Sequence, residues 1–421
     1  MQNLPKYFDW KFYLESNPDL QKANLKSESD AVTHYLKYGQ YEKRQYCAHS
    51  QEFFYEKYKH RSFLKNKKRI IFVNHNESLT GAPFLLKDII RYEQQKNELD
   101  IWVISLTPGN DDSWEEFNTI HHWIIPGKTD ADKYKFIDNL LSPDLVYANT
   151  IASMNFALQF KCKKIISIHE NRELIPYGDS LSNLKHFDRI LVACRPAMDI
   201  LARFGISCEL YPYFLNKDKN DYFVNLSIDK KSPIVCAGVA DFRKGIHRFI
   251  EIAASLPNEK FVWVGSTSHI SIANNKVSFV ADNFRTIDYE IGQRIANRRI
   301  TLEIPKNVEF MGLVKDPNMM RQIFSNAKCL LMLSTDDPFP LVVIEAKLLN
   351  KNVVNLKESG DSYTVCDSAD LILEKYDRTP IINYLKGLSP NPVKFNEELY
   401  NKLQSNSEIN RNVYLSLIEA N

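Results

Sequence analysis

The fold is decided by the stretch Lys328–Ala346, KCLLMLSTDDPFPLVVIEA. Its first seven residues form an apolar run that is typical of a buried strand. Two prolines then mark a loop, and the apolar residues from Leu341 onward predict the start of a helix. This order of strand, acidic loop and helix places Asp336 and Asp337 at the carboxyl end of a strand, where open α/β sheets bind their ligands.

Seven residues separate two acids of this stretch, Asp337 and Glu345. A carboxylate only accepts hydrogen bonds, so two carboxylates in such a place suit the recognition of sugar hydroxyls. The alternative is that both acids stabilise the helix start, because Asp favours the N-cap and acids favour the first turn.

The spacing of the two acids resembles the acid-x7-acid signature of retaining glycosyltransferases with the two-domain GT-B architecture, especially family four. The likeness is close over Pro338–Ala346 and departs at the first acid, which is usually Glu in that family and is Asp337 here. Aspartate is one methylene shorter, so Asp336 is a second candidate for the same role. The resemblance implies that Asp337 contacts the donor sugar and that Glu345 accepts hydrogen bonds from ribose hydroxyls.

Apolar runs alternate with helical patterns on both sides of a polar segment, Lys217–Lys231, which we interpret as a linker. This alternation predicts an α/β fold with doubly wound parallel sheets. The predicted strands are Ile70–Val73, Ile101–Ser105, Trp123–Ile125, Leu145–Ala148, Ile165–Ile168, Ile190–Ala193, Glu209–Tyr211, Ile234–Gly238, Phe261–Gly265, Val308–Phe310, Cys329–Leu333 and Val353–Val354.

Four segments are predicted from these patterns. They are a helical module over 1–60, a Rossmann-like acceptor domain over 68–216, a Rossmann-like nucleotide-sugar domain over 231–375, and C-terminal helices over 376–421. The resemblance to GT-B enzymes implies that the two Rossmann-like domains face each other across a cleft. It also implies that the C-terminal helices cross back to the first domain.

A basic turn, Gly238–Gly245, follows the first strand of the second domain and precedes a helical pattern over Ile246–Leu256. Arg243 and Lys244 therefore lie at a helix start, where unpaired N–H groups and the helix dipole favour an anion. The turn predicts a diphosphate site, and it resembles the Arg-Lys-Gly segment with which family-four enzymes hold the donor's diphosphate.

Two further glycines of this half are candidate donor contacts. Gly265 ends an apolar run and would let a ligand approach the backbone, although a plain turn explains it equally well. Gly312 follows Val308–Met311, where the family resemblance places the nucleotide base. Such contacts are made mainly by backbone groups, so the sequence does not reveal the base.

The first domain contributes two candidate sites. Asn74–Pro83 is a polar loop after the first strand, and it resembles the family's loop in which a glycine, here Gly81, lies near the donor phosphate or the acceptor. His169 ends another apolar run and resembles the histidine that contacts the donor sugar, while a structural role is the alternative. Asn149-Thr150 ends a strand on the same predicted edge. The chain has neither a G-x-G-x-x-G nor a Walker A pattern, which argues against NAD binding and P-loop hydrolysis.

The composition is ordinary for a globular protein, with 44% hydrophobic and 25% charged residues and a net charge of +2. The charge indicates no particular partner, and no nucleic acid is expected. The seven cysteines show no paired spacing, so Cys162, Cys194, Cys236 and Cys329 are interpreted as reduced core residues. No run is long enough to span a bilayer and the start lacks a signal peptide's apolar core, so the expected location is cytoplasmic.

The first 60 residues and the basic run that follows them differ from the rest. The aromatic helical patterns of Tyr7–Leu14 and Ala31–Gly39 resemble a short module found beside some bacterial polysaccharide glycosyltransferases, and they suit a small core or a docking role. Lys57–Arg69 holds seven Lys or Arg and no acid. It is interpreted as a solvated linker, and the alternative is peripheral contact with an anionic membrane surface or glycan.

Together these observations predict a retaining, metal-independent glycosyltransferase without a cofactor. A nucleotide-sugar donor would bind the second domain and a glycan acceptor the first, with a bacterial surface polysaccharide as the expected acceptor class. The alternatives are a GT-B-shaped epimerase or phosphorylase and a non-catalytic glycan-binding scaffold.

Overall fold

The computed structural model of the chain describes residues 4, 8–39, 42, 44, 46, 51–58, 64, 66–78, 80–109, 111–127, 129–170, 175, 179–211, 213–214, 219–222, 232–280, 287–288, 293–294 and 299–419. The chain divides into two compact units. The first comprises Met1–Ile166, His186–Asp188 and Ser416–Asn421, and the second comprises Ser167–Lys185 and Arg189–Leu415. Most of the predicted linker Lys217–Lys231 lies outside the described residues.

The N-terminal module is helical, as its aromatic pattern predicts. The helices are α1 (Trp10–Glu15), α2 (Pro18–Lys22), α3 (Glu28–His34), which continues as a π-helical turn to Gly39, and α4 (Gln51–Tyr58). A small core of their buried side chains comprises Tyr13, Leu14, Leu20, Ala31 and Tyr35. The helical pattern predicted over Ala31–Gly39 thus ends at the same glycine in the structure.

A seven-stranded sheet follows the module. Its strands are β1 (Arg69–Asn74), β2 (Asp100–Ser105), β3 (Thr119–His121), β4 (Leu145–Ala148), β5 (Lys163–Ile168), β6 (Arg189–Val192) and β7 (Glu209–Leu210). They lie in the order β3-β2-β1-β4-β5-β6-β7, and β1 pairs in parallel with both β2 and β4. The strand order therefore reverses between β1 and β4, which is the switch point where such sheets bind ligands.

The helices of this half connect the strands, as the alternation predicts. They are α5 (Gly81–Lys96), α6 (Asp130–Leu141), α7 (Met154–Ala157), α8 (Asp179–Leu184) and α9 (Arg195–Arg203). The predicted strand Trp123–Ile125 is wrong, because the strand is Thr119–His121 and the next three residues form a 3-10 turn. Short apolar runs fit either structure, and the polar Asn118-Thr119 concealed the true start.

The second half contains a six-stranded sheet and its helices. The elements are β8 (Ile234–Ala237), α10 (Ile246–Ser255), β9 (Phe261–Val264), β10 (Ile270–Ala273), β11 (Lys276–Val280), β12 (Ile287–Asp288), β13 (Gln293–Arg294), β14 (Arg299–Glu303), β15 (Val308–Gly312), α11 (Pro317–Asn326), β16 (Cys329–Met332), α12 (Leu341–Leu348), β17 (Asn352–Leu356), β18 (Leu371–Leu373), α13 (Arg378–Gly387) and α14 (Glu397–Glu419). The sheet order is β15-β9-β8-β16-β17-β18. The switch point lies between β8 and β16.

An antiparallel insertion between β9 and β15 was not predicted. Strands β10, β11 and β14 form a three-stranded sheet, and β12 pairs with β13. Val277 and Phe279 of β11 are buried in the core beside Phe249 and Trp263. The insertion thus covers one face of the parallel sheet, and its alternating exposure, with only every second residue buried on β11, fits a half-buried strand.

The core of the second half includes buried thiols, as predicted from the sequence. Cys236 of β8 and Cys329 of β16 lie among apolar side chains such as Ile246, Trp263 and Leu331. Burial raises the pKa of both thiols far above the usual value. A thiol in such surroundings stays protonated and behaves as a small apolar group.

The turn between β8 and α10 depends on one glycine. Gly245 precedes α10 with φ of +83°, and a Cβ on it would lie 2.5 Å from the main-chain oxygen of Leu333 and 2.8 Å from the Leu333 Cβ. A side chain is therefore excluded both by the left-handed backbone and by the loop after β16.

Replacing Gly245 by alanine is expected to lower the free energy of unfolding by about 3 kcal/mol, because left-handed strain and overpacking add. Urea denaturation followed by circular dichroism measures it. Gly387→Ala is the matched control: no atom lies within 4 Å of its added Cβ. That variant should stay within about 1 kcal/mol of wild type. Equal stability of the two variants would contradict the packing of this turn.

Candidate functional site

Two loops lie side by side at the switch point of the six-stranded sheet. Strands β8 and β16 pair in parallel, so the loops that follow them leave the same edge. The Thr335 N–H donates to the main-chain oxygen of Arg243 at 2.9 Å. The Arg243 guanidinium donates through Nη1 to the main-chain oxygen of Asp336 at 2.7 Å. The predicted diphosphate turn and the predicted acidic loop are thereby joined.

An ion pair completes this junction. The Lys244 ammonium contacts the Oδ2 atom of Asp337, and the two side chains are only 16% and 12% exposed. A cation suited to a phosphate and a carboxylate suited to a sugar hydroxyl therefore contact each other at the edge where a ligand is expected. The structure brings together Arg243, Lys244, Asp336 and Asp337, and we call these four residues the basic–acidic cluster.

The acidic loop is held from its other side by the segment after β17. The Asp337 N–H donates to the main-chain oxygen of Ser359 at 2.9 Å, and the Asp361 N–H donates to that of Pro338 at 3.0 Å. A Cβ on Gly360 would lie 2.3 Å from the Asp337 oxygen, so the two backbones touch. Sequence reasoning missed this segment, because a Ser-Gly-Asp turn carries no sign of its partner.

An aromatic contact fixes the centre of the loop. The ring of Phe339 stacks on Tyr213, with centroids 4.3 Å apart and an angle of 16° between the planes. The Tyr213 main-chain oxygen in turn accepts a hydrogen bond from the side chain of Asn406 in α14. The loop between the two acids is therefore restrained at both its backbone and its ring.

The helix-capping interpretation of the two acids is wrong. The residue that precedes α12 is Pro340, which has no side-chain hydrogen bond to the helix, and the first turn contains no acid. Asp337 lies three residues before that cap, and Glu345 is the fifth helical residue and is half-buried. Neither acid therefore caps α12.

The start of α10 leaves fewer backbone N–H groups for an anion than the sequence suggested. The Lys244 N–H donates to Asp241 Oδ1 at 2.6 Å, and the next two N–H groups donate to the main-chain oxygens of Phe242 and Asp241. Three donors of the turn are therefore already used within it. The side chains of Arg243 and Lys244 are the positive charges of the turn, and their contact with a phosphate stays a prediction.

His247 follows this turn and contributes no charge to it. Its ring stacks on Phe242 with centroids 4.1 Å apart. Burial, with a smaller effect of the neighbouring Arg248, lowers the pKa of His247 to about 3. The imidazole is thus neutral at physiological pH and packs as an aromatic group.

The candidate glycines of the second half lie on adjacent strand ends. The Gly265 N–H donates to the Gly312 oxygen at 2.8 Å, and a Cβ on Gly265 would lie 1.9 Å from the Gly238 oxygen. The neighbouring strand alone therefore requires glycine at 265. Gly312 has φ of +75° and open space around its added Cβ. Their contacts with a donor stay predictions.

The candidates of the seven-stranded sheet lie at its own strand ends. Gly81 begins α5, and no atom lies within 4 Å of its added Cβ. The Asn149 side chain, after β4, donates to the main-chain oxygen of Ala82 at 2.9 Å, which joins the loops at this switch point. His169, after β5, contacts the Ser167 hydroxyl through Nε2 at 2.8 Å. The roles of Gly81 and His169 in binding stay predictions.

A histidine that sequence reasoning missed lies at the end of β3. His121 is 5% exposed, and its Nε2 lies 2.9 Å from the carboxylate of Glu77 in the loop after β1. Its main-chain N–H donates to the Tyr58 hydroxyl at 3.1 Å. Helix α4 is thereby tied to the end of β3.

The basic run Lys57–Arg69 is described in part. Lys68 pairs with Asp144 at 3.0 Å, and Arg69 pairs with Asp100 at 2.6 Å. Lys67 donates to the main-chain oxygen of Asn97. These three cations hold the start of β1 to its neighbours. Lys59, Arg61 and Lys65 lie outside the described residues.

The described part of the chain contains no group of three or more His, Cys, Asp or Glu side chains placed to hold a metal ion. Of the helices described, none is both long and apolar enough to cross a bilayer.

Comparison with known proteins identifies the half of the chain that holds the cluster. Residues 218–408 match the family model described as "Glycosyl transferases group 1". The matched segment, a little less than half of the chain, is called the group 1 domain. The group 1 domain contains all four residues of the basic–acidic cluster and Glu345.

Two curated relatives share part of the chain. It is 30% identical over 155 residues to the processive diacylglycerol alpha-glucosyltransferase of Acholeplasma laidlawii, a match over 37% of this chain and 40% of that protein. It is 30% identical over 145 residues to the alpha-galactosylglucosyldiacylglycerol synthase of Streptococcus pneumoniae (strain ATCC BAA-255 / R6), over 32% and 34%. The matches thus span less than half the length of either relative.

A solved structure has a similar fold over most of the chain. The sucrose-phosphate synthase of Thermosynechococcus elongatus superposes with a TM-score of 0.60 and 16% identity, over 84% of this chain and all of that one. At this identity the likeness concerns the fold alone. The predicted α/β architecture of two Rossmann-like, GT-B-type sheets is confirmed.

Proposed function

We propose that the protein is a glycosyltransferase that moves a sugar from a nucleotide-sugar donor to a glycan or glycolipid acceptor. The observation that carries this proposal is the basic–acidic cluster at the switch point of the group 1 domain. It offers cations for a diphosphate and carboxylates for hydroxyls within one set of contacts, which is the combination that a nucleotide sugar requires.

Each residue has a definite role in this proposal. Arg243 and Lys244 bind the diphosphate and stabilise the charge that develops on the leaving phosphate. Glu345 accepts hydrogen bonds from the ribose hydroxyls. Asp337, with Asp336 beside it, accepts hydrogen bonds from the donor sugar, and His169 contacts that sugar.

The stereochemistry is proposed to be retaining and the reaction to need no metal. The transition state of glycosyl transfer resembles an oxocarbenium ion, and the acceptor would attack on the face of the leaving group. The leaving phosphate would take the acceptor's proton. The two cations of the cluster supply the positive charge that this leaving group needs.

The acceptor class is proposed from the relatives. Both curated relatives carry names that specify diacylglycerol-based glycolipids. A glycolipid therefore joins the surface polysaccharide as a proposed acceptor. Contact of Lys57–Arg69 with an anionic membrane surface would suit either acceptor, and the location is proposed to be cytoplasmic or peripheral to the membrane.

Calorimetric binding of nucleotide sugars without added metal tests the donor site. The panel is UDP-glucose, UDP-galactose, GDP-mannose and ADP-glucose. Wild type is expected to bind one base selectively, and Arg243→Ala/Lys244→Ala should weaken that binding about 100-fold or more, because two charge-assisted contacts to phosphate are lost.

The control for this test removes two positive charges elsewhere in the same half. Lys260 and Lys276 are about half exposed and pair with Glu309 and Glu303. Lys260→Ala/Lys276→Ala should bind as wild type does. Equal loss in both double variants would indicate a general charge effect, and absence of binding by folded wild type would overturn the proposed function.

A further inference from the structure

The ion pair between Lys244 and Asp337 joins groups meant for two different parts of a donor. In the proposed function Lys244 binds the diphosphate and Asp337 binds the sugar, yet here each neutralises the other. Both side chains are largely withdrawn from water, at 16% and 12% exposure. We call these two residues the exchange pair.

A ligand that takes only one member of this pair leaves the other uncompensated. A diphosphate that binds Lys244 leaves the Asp337 carboxylate poorly solvated and close to two phosphates of the same sign. Leaving a buried charge without its partner is unfavourable, and so is bringing like charges together. The Asp337 N–H is already bonded to Ser359 and its loop is held by Gly360 and Tyr213, so the carboxylate cannot easily be carried away by a movement of the loop.

An intact nucleotide sugar satisfies both members at once. Its diphosphate takes over Lys244, and the hydroxyls of its sugar donate to the Asp337 carboxylate. Hydrogen bonds to a carboxylate are strong, so they offset the loss of the ion pair. The nucleotide sugar therefore avoids both the uncompensated carboxylate and the repulsion between like charges, and a bare diphosphate does not.

We propose that the exchange pair is a selectivity device that favours the intact nucleotide sugar over the nucleoside diphosphate. Asp337 competes with the diphosphate for Lys244 whenever no sugar is present to occupy Asp337. The same competition promotes release of the nucleoside diphosphate after the sugar has been transferred. This inference rests on the proposed function for the identity of the ligands. The contacts of the exchange pair determine which ligand is favoured.

The test is calorimetric binding of inorganic pyrophosphate, UDP, GDP and ADP, and of UDP-glucose, GDP-mannose and ADP-glucose. The proteins compared are wild type and Asp337→Asn. If Asp337→Asn does not fold, Asp337→Ala is used in its place. The variant is expected to bind pyrophosphate and the preferred nucleoside diphosphate about tenfold more tightly than wild type, since a like charge beside the phosphates is removed. It should bind the corresponding nucleotide sugar about tenfold more weakly, because a charged acceptor of sugar hydroxyls is lost.

Two matched variants separate this device from a general charge effect. Glu259→Gln removes a carboxylate from an ion pair outside the cluster, in which the partner Lys328 is 8% exposed. It should keep the diphosphate affinity of wild type within about threefold, as expected when the particular partner of Lys244 decides the effect. Asp337→Glu keeps the charge beside Lys244, so it should show no gain in diphosphate affinity. Circular dichroism and urea unfolding check that every variant is folded.

The possible results lead to distinct conclusions. If Asp337→Asn, or Asp337→Ala in its place, binds pyrophosphate no more tightly than wild type, or if Glu259→Gln shows the same gain, the exchange pair is overturned. If the gain is specific but no nucleotide sugar binds any folded protein, the competition stands and the proposed donor site fails. Opposite shifts for the diphosphate and the nucleotide sugar support both.

Discussion

Replacing Glu345 by alanine is expected to lower kcat/KM for sugar transfer by about 100-fold to 10,000-fold, while the protein stays folded. The proposed role of this carboxylate is to accept two hydrogen bonds from ribose, and each such bond to a charged group contributes about 1.5–3 kcal/mol. Glu345 is the fifth residue of α12 and half-buried, and the helix gains no cap from it. Alanine is a good helix former, so α12 should persist in the variant.

The measurement is transfer from the nucleotide sugar that wild type binds, followed with urea unfolding of both proteins. Glu374→Ala is the control, because Glu374 is 80% exposed and pairs with Lys357 outside the cluster. It should leave both activity and stability as they are in wild type. Full activity of Glu345→Ala would sink the assignment of this residue to the donor.

The two sheets could be predicted from the sequence because parallel strands buried on both faces appear as apolar runs. Strand β16, with the residues CLLM, and strand β8, with IVCA, are of this kind. The insertion could not be found in the same way. Strands β10 and β14 are short and largely exposed, so their side chains alternate without a strong apolar signal. Strand β3 was misplaced for a related reason, since its three buried residues are Thr119, Ile120 and His121.

The candidate site was predicted more completely in its residues than in its contacts. The acidic loop and the basic turn each carry a local pattern, and each follows a buried strand. That β8 and β16 are neighbours follows from the strand order, which local patterns do not determine. The pairing of Lys244 with Asp337, 93 residues away, therefore had no signal in the sequence. The same holds for the Ser359–Asp361 segment that holds the loop.

A second group of charged residues surrounds Lys347, which lies in the otherwise apolar helix α12. Lys347 follows Glu345 by two residues and is 2% exposed. Its ammonium lies 2.8 Å from Asp367 Oδ2 and 2.7 Å from Asp370 Oδ2. Asp370 also accepts the N–H groups of Val353 and Asp367. The three charged residues thus fasten α12, and Glu345 with it, to the start of β17 and the segment before β18.

Replacing Lys347 by methionine is expected to lower the free energy of unfolding by about 3–5 kcal/mol, because it removes one partner of a buried ion pair. The Asp370 carboxylate, which is 0% exposed, is then left without its cation. Urea denaturation at pH 7 measures this loss. Lys357→Met is the control, since its partner Glu374 is exposed and such pairs contribute about 0–1 kcal/mol.

The loss should also depend on pH in a definite direction. Burial raises the pKa of Asp370 above its usual value even with Lys347 beside it, and without the cation the pKa should rise further. A carboxyl whose pKa is higher in the folded state than in the unfolded state destabilises the fold progressively as pH rises through the folded pKa. The loss in the free energy of unfolding caused by Lys347→Met should therefore be smaller at pH 4.5 than at pH 7. The double variant Lys347→Met/Asp370→Asn should recover part of that free energy at pH 7, because the neutral amide still accepts a hydrogen bond from the Val353 N–H. A deficit that is independent of pH and unchanged in the double variant would mean that Lys347 stabilises α12 through its packed methylenes and not through its charge.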